Sequence, residues 1–145
     1  MLKSSITFVI LLITQISTPS FAQVFFDDFN EPKINADYWK ILNTKWGENP
    51  SKGTHGGVVP DNVYVQNGNL VIRALGDYYR GDVKGHGQIT KVGGVIATKE
   101  KFASGSYEVR AKICPQSGAL SAFWTYYYEN EDYNHEIDFE FPGRN

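Results

Sequence analysis

The chain has 145 residues and a formal net charge of −2, and 41% of its residues are hydrophobic and 14% aromatic. This near-neutral balance, without blocks of lysine or arginine, lacks the positive patch that binding to nucleic acid or to an anionic membrane needs. The nine tyrosines, nine phenylalanines and 14 glycines favour one aromatic-rich β-domain, because aromatic residues favour strands and glycine punctuates turns. A polymer of neutral sugars is compatible with this charge.

The first 22 residues have the three parts of a secretory signal peptide. Lys3 precedes an apolar run over 6–16, and Ser20 and Ala22 occupy the small-residue positions of a cleavage site. The run is too short to span a bilayer of about 30 Å, so cleavage is expected before Gln23. The alternative is a buried N-terminal helix. Because position 23 is not a cysteine, nothing suggests a membrane anchor, and a secreted or periplasmic protein is expected.

Strands are predicted along most of the remaining domain, residues 23–145. Two β-prone runs, 62–66 and 69–74, are joined by Asn67-Gly68, the dipeptide best suited to a two-residue type I′ turn, which predicts a hairpin. A period of two dominates the chain, so the expected fold is an all-β, antiparallel β-sandwich. The other predicted strands are Gly94–Thr98, Ser106–Ile113, Ala119–Tyr128 and His135–Phe141; a short helix is allowed at Asn35–Trp39, and loops are expected at Trp46–Val59 and Gly76–Gly87.

Cys114 is the only cysteine, which excludes an intramolecular disulfide. We expect it to be a small buried hydrophobic residue, since no cysteine-protease pattern surrounds it. The three histidines have no partners at zinc-binding spacing, which argues against a zinc site.

The segment Asn134–Gly143 carries the most informative pattern. A strand here places Glu136, Asp138 and Glu140 on one face. Three neighbouring acids repel one another and the segment offers no cation, so the arrangement costs stability and indicates a function. The alternative is a solvated strand face that bears alternating acids.

The spacing of the two glutamates suggests which function. Their Cα atoms lie about 13 Å apart, and side chains that lean together approach the carboxyl gap of about 5 Å found in retaining glycosidases. In that double displacement one glutamate attacks the anomeric carbon, and the other protonates the leaving oxygen and later activates water. The aspartate between them can hydrogen-bond the nucleophile and tune its charge.

Several motifs, in order along the chain, resemble glycoside hydrolase family 16. They are Asp61-Asn62-Val63-Tyr64-Val65 with Asn67-Gly68-Asn69-Leu70, Gly105-Ser106-Tyr107-Glu108-Val109-Arg110-Ala111-Lys112, Ser121-Ala122-Phe123-Trp124 and the Glu-x-Asp-x-Glu strand Glu136-Ile137-Asp138-Phe139-Glu140. The resemblance implies a concanavalin-like jelly roll with a glycan cleft, and a retaining, endo-acting glycanase. It implies that Glu136 is the nucleophile, Asp138 its partner and Glu140 the acid/base. The spacing of the acids is similar to the lichenase and xyloglucan-transglycosylase branch.

The resemblance also implies binding residues. Trp124, Tyr126 and Tyr128 alternate and share one strand face, which by itself fits either a core layer or a binding surface. Similarity to lichenases places Trp124 and Tyr126 in the cleft and leaves Tyr128 open. Asn134, where lichenases have an aromatic residue, is expected beside them. Gly68 corresponds to a glycine whose carbonyl helps hold a structural calcium ion, whereas the residue pattern alone explains it as a turn glycine.

Domains of this family continue for roughly a hundred residues beyond the acid strand, so the chain is expected to be an N-terminal part, incomplete at its C-terminus and inactive by itself. The expected whole protein is a monomer that acts on a polysaccharide, with no cofactor for catalysis. The alternatives are a noncatalytic glycan-binding jelly roll, and a transglycosylase or algal galactan hydrolase of the same family.

Overall fold

The computed structural model describes residues 25–45, 56–78 and 91–144. The predicted signal peptide, residues 1–22, and most of the two predicted loops lie outside these residues. The described part of the chain contains nine strands and two 3₁₀ turns, Pro60–Asn62 and Gly76–Tyr78. In those ranges no helix has the length and hydropathy needed to cross a membrane. The all-β class predicted from the sequence is confirmed.

The strands of the described residues form four small sheets. In chain order they are β1 (Trp39–Ile41), β2 (Thr44–Lys45), β3 (Gly56–Val58), β4 (Val63–Gln66), β5 (Asn69–Ile72), β6 (Lys91–Gly93), β7 (Ile96–Thr98), β8 (Leu120–Asn130) and β9 (Tyr133–Pro142). The sheets are β1–β7, β2–β3–β6, β4–β5 and β8–β9. All pairs are antiparallel except β3–β6, which is parallel and so departs from the antiparallel expectation.

The predicted hairpin is β4 and β5. Asn67 and Gly68 have φ values of 52° and 69°, the positive pair that a type I′ turn requires. Gln66 pairs with Asn69 directly across this turn, and the register continues to Val63 and Ile72. The dipeptide therefore sets both the turn and the register.

The small core of the described residues surrounds Asn62. Val58, Val59, Val63 and Val92 are buried, and Asn62 is completely buried. The side-chain nitrogen of Asn62 donates to the backbone carbonyl of Gly93 at 3.0 Å, and the backbone carbonyl of Asn62 accepts from the backbone N–H of Arg73 at 2.8 Å. Residues of two sheets, β2–β3–β6 and β4–β5, contribute to this cluster, and Asn62 links them through its bonds to Gly93 and Arg73.

Three expectations are wrong in detail. Ser106–Ile113 alternates apolar and polar residues but forms no strand, because it has no ladder partner among the described residues and alternation alone supplies no backbone hydrogen bonds. Gly56–Val58, placed in a loop, is buried strand β3, since pairing with β2 and β6 outweighs its glycines. Cys114, expected to be buried, is exposed, and it directly follows the unpaired segment Ser106–Ile113 in the chain.

The short helix that the sequence allows at Asn35–Trp39 is a single turn in the structure.

Candidate active site on the β8–β9 hairpin

The two longest strands of the described residues, β8 and β9, form one antiparallel hairpin that carries every predicted catalytic residue. Glu136, Asp138 and Glu140 occupy alternate positions of β9, so their side chains share one face of the ladder. The strand and the shared face predicted from the sequence are confirmed.

The register of the hairpin brings the aromatic residues to the same face as the acids. Tyr126 lies opposite Glu136, and Trp124 lies opposite Asp138. Directly opposed residues of an antiparallel pair project to the same side with Cβ atoms about 5 Å apart. The structure therefore places a row of aromatic rings alongside the row of carboxylates. Glu140 has only Ala122 opposite it, which leaves open space beside this acid.

The three carboxylates are exposed. In the described part of the chain, none of them makes a hydrogen bond or an ion pair with another side chain, so no residue of those ranges neutralises the row. Their oxygens are thus available to a ligand. Trp124 is partly buried, whereas 62% of the Tyr126 surface is exposed. A surface that combines free carboxylates with flat apolar rings suits a sugar, which offers hydroxyls at its edge and C–H groups on its faces.

Asn134 lies opposite Tyr128, two ladder positions beyond the Tyr126–Glu136 pair and therefore on the same face. Its amide nitrogen donates to the carbonyl oxygen of Glu131 at 2.8 Å, and the Tyr128 hydroxyl donates to the Glu131 carboxylate at 3.2 Å. The turn residue Glu131 thus holds both members of this pair. The sequence reasoning missed Glu131, although the polar run 129–132 between two strands was a signal for the turn.

The opposite face of the hairpin holds the intervening side chains. Phe123 stacks on Phe139 with ring centroids 6.4 Å apart, and Tyr127 stacks on His135 at 6.3 Å. A hydrogen bond to Glu129 raises the pKa of Tyr127 above its usual value of 10.0, and desolvation and the charge of Glu129 act in the same direction. These contacts keep aromatic residues on the back of the hairpin and leave the acids on the front.

The predicted calcium position is at the turn between β4 and β5. A Cβ on Gly68 would lie 3.1 Å from Oδ1 of Asn30, and Asn30 in turn donates to the Asp28 carboxylate at 2.6 Å. Calcium takes six to eight oxygen ligands. The described ranges contain no group of three or more histidine, cysteine, aspartate or glutamate residues that could hold a metal ion. These residues do not fit the ion by themselves, and calcium at Gly68 stays a prediction.

Comparison with known proteins adds two findings. The sequence profile described as "Glycosyl hydrolases family 16" matches residues 52–145, which include the whole β8–β9 hairpin. Over 53 residues the chain is 45% identical to the endo-1,3-1,4-beta-glycanase ExoK of Rhizobium meliloti (strain 1021). That alignment covers 36% of the chain and 20% of the relative, so the chain spans well under two thirds of the relative's length. No solved structure gives a significant match.

Proposed function

Because the chain belongs to glycosyl hydrolase family 16, we propose that it is the catalytic part of an exported, retaining endo-β-glycanase that hydrolyses a β-glucan. The observation that carries this proposal is the register of the hairpin, in which Glu136 and Asp138 lie directly opposite Tyr126 and Trp124. Acids and aromatic rings on one face allow a glycan to stack on the rings while its glycosidic bond lies against the carboxylates.

In this proposal the two glutamates divide the chemistry. Glu136 attacks the anomeric carbon, and the bond to the leaving oxygen breaks as Glu140 gives that oxygen its proton. Glu140 then takes a proton from water, and the water oxygen displaces Glu136 from the anomeric carbon, so the configuration is retained. Asp138, between them on the same face, hydrogen-bonds the nucleophile. No cofactor takes part.

The substrate class and the location belong to the same proposal. The printed name of the relative concerns 1,3-1,4-β-glycans, which supports a β-glucan as the first substrate to test. The sequence of residues 1–22 supports export to the periplasm or the medium after cleavage before Gln23. We expect the whole protein to act as a monomer, without nucleic acid and without a membrane anchor.

The experiment that tests the mechanism replaces Glu136 in the protein as its organism makes it. Glu136→Ala should lower the hydrolysis of β-glucan by about three orders of magnitude or more, because the covalent step is lost. Azide should then enter the vacated space and attack the anomeric carbon directly, which yields a glycosyl azide of inverted configuration. Proton NMR of the product reads this configuration.

The matched control is Glu31→Ala, which removes an exposed carboxylate outside the hairpin and should leave the rate unchanged. Near wild-type turnover in Glu136→Gln would refute the assignment of Glu136 as the nucleophile. A wild-type protein that binds β-glucan without releasing reducing ends would instead support the noncatalytic glycan-binding alternative. Products longer than the substrate would identify a transglycosylase.

A further inference from the structure

The acid-bearing face of the β8–β9 hairpin does not end at the Tyr126–Glu136 pair. Tyr128 and Asn134 form the next pair on the same face, and 52% of the Tyr128 surface is exposed. At about 3.3 Å per residue, this pair lies about 7 Å farther along the strands, a step comparable to the length of one sugar ring. The row of rings thus continues where the row of acids has stopped.

The pair beyond this one cannot continue the face. The register shifts between Tyr128 and Asn130, so that Asn130 pairs with Tyr133. Tyr133 is adjacent to Asn134 in β9 and therefore points to the opposite side of the hairpin. The Tyr128–Asn134 pair is the last on the acid-bearing face.

The chemistry of this last pair is neutral. Asn134 stands where the alternation of acids would put another carboxylate, and its amide nitrogen is held by the carbonyl oxygen of Glu131. Its Oδ1 has no hydrogen-bond donor among the described residues and can accept from a hydroxyl. The Tyr128 ring is held by its hydroxyl on Glu131, so its flat surface is oriented before a ligand arrives.

From this geometry we propose that Tyr128 and Asn134 form a terminal sugar-binding subsite, which binds a ring of the glycan that is remote from the bond being cleaved. Glu131 is the positioning residue of this subsite. The inference rests on the proposed function, because the subsite extends the surface on which the glycan is cleaved. It predicts that the protein distinguishes long β-glucans from substrates too short to reach Tyr128.

The test compares Tyr128→Ala with Tyr133→Ala in the protein as its organism makes it. Tyr133 is a matched control, since it is 62% exposed at the same end of the hairpin but faces away from the acids. Two substrates are used: mixed-linkage β-glucan, and a β-linked disaccharide with an activated aryl leaving group. Circular dichroism verifies that each variant is folded. If Tyr128→Ala does not fold, Tyr128→Thr replaces it in the test, because threonine favours strands.

Tyr128→Ala should lower kcat/KM on the polymer about tenfold, which is typical of losing one aromatic contact, and leave the aryl disaccharide within about twofold. Tyr128→Phe keeps the ring but loses the hydrogen bond to Glu131, so its activity on the polymer should lie between those of the wild type and Tyr128→Ala. Tyr133→Ala should change neither substrate.

If the wild type is active and Tyr128→Ala and Tyr133→Ala lower kcat/KM on the polymer equally, the proposed subsite is wrong but the proposed function stands. An equal loss on both substrates would also overturn the subsite, because that result indicates damage at the cleavage point. A folded wild-type protein that hydrolyses no β-glucan would refute the proposed function itself, which keeps the two failures distinct.

Discussion

At the scale of single residues, position matters more than residue type. Asn62 and Asn134 are both asparagines, yet one is completely buried and links strands, whereas the other is exposed on the front of the hairpin. Gly93 and Gly94 are neighbours in the chain, yet only at Gly94 would a Cβ atom collide with the core. The local sequence did not distinguish the members of either pair.

Gly94 provides the sharpest test at this scale. A Cβ there would lie 2.7 Å from Cγ2 of Val63 and 2.9 Å from the backbone oxygen of Asn62, both in the core. Gly94→Ala should therefore lower the free energy of unfolding by about 1–3 kcal/mol, as overpacking does. Urea denaturation measures this difference.

Gly93→Ala is the internal control, because a Cβ at Gly93 meets nothing within 4 Å. This change should leave the stability unaltered or raise it slightly, since alanine restricts the unfolded chain. Identical denaturation midpoints for the two variants would show that the close approach of Gly94 to Asn62 and Val63 is not what requires a glycine.

At the scale of elements, the two hairpins depend on different information. The β4–β5 hairpin follows from Asn67-Gly68, which both lie in the left-handed region and so fit one turn type. The β8–β9 hairpin follows from pairing between the two strands along ten residue pairs with one register shift near the turn. A one-residue slip in that register would move Tyr126 away from Glu136 and separate the rings from the acids.

The turn of β4–β5 can be tested by replacing each of its two central residues separately. Gly68→Ala should lower the free energy of unfolding by about 1–2 kcal/mol, because a Cβ is strained at a φ of 69° and would meet Asn30 at 3.1 Å. Asn67→Gly should cost much less, since glycine tolerates the same backbone conformation. Thermal unfolding followed by circular dichroism compares them; a larger loss for Asn67→Gly would contradict the turn assignment.

At the scale of the whole molecule, the proposed export is tested by the N-terminus of the protein. The exported protein should begin at Gln23, and Ala22→Leu should block processing, because a cleavage site requires a small residue at this position. Phe21→Leu, at the intervening position, should be processed normally. Intact mass spectrometry of the exported fraction distinguishes these outcomes, and a wild-type protein that keeps Met1 would contradict the signal peptide.

The sequence by itself determined the features that depend on neighbouring residues. The type I′ turn needs only Asn67 and Gly68, and the shared face of Glu136, Asp138 and Glu140 needs only the two-residue period of a strand. The same period also placed Trp124, Tyr126 and Tyr128 on one face of a single strand.

Only the tertiary structure decided which faces meet. The register of β8 on β9 put Tyr126 opposite Glu136 and ended the acid-bearing face at Tyr128 and Asn134, because the register is set by hydrogen bonds between the two strands and not by the pattern of either strand alone. For the same reason Ser106–Ile113 has the pattern of a strand without being one, while Gly56–Val58 is a strand without the pattern. The alternation of side chains predicts which face of a strand each residue occupies. The partner strand determines whether the strand forms at all and which residues lie opposite one another.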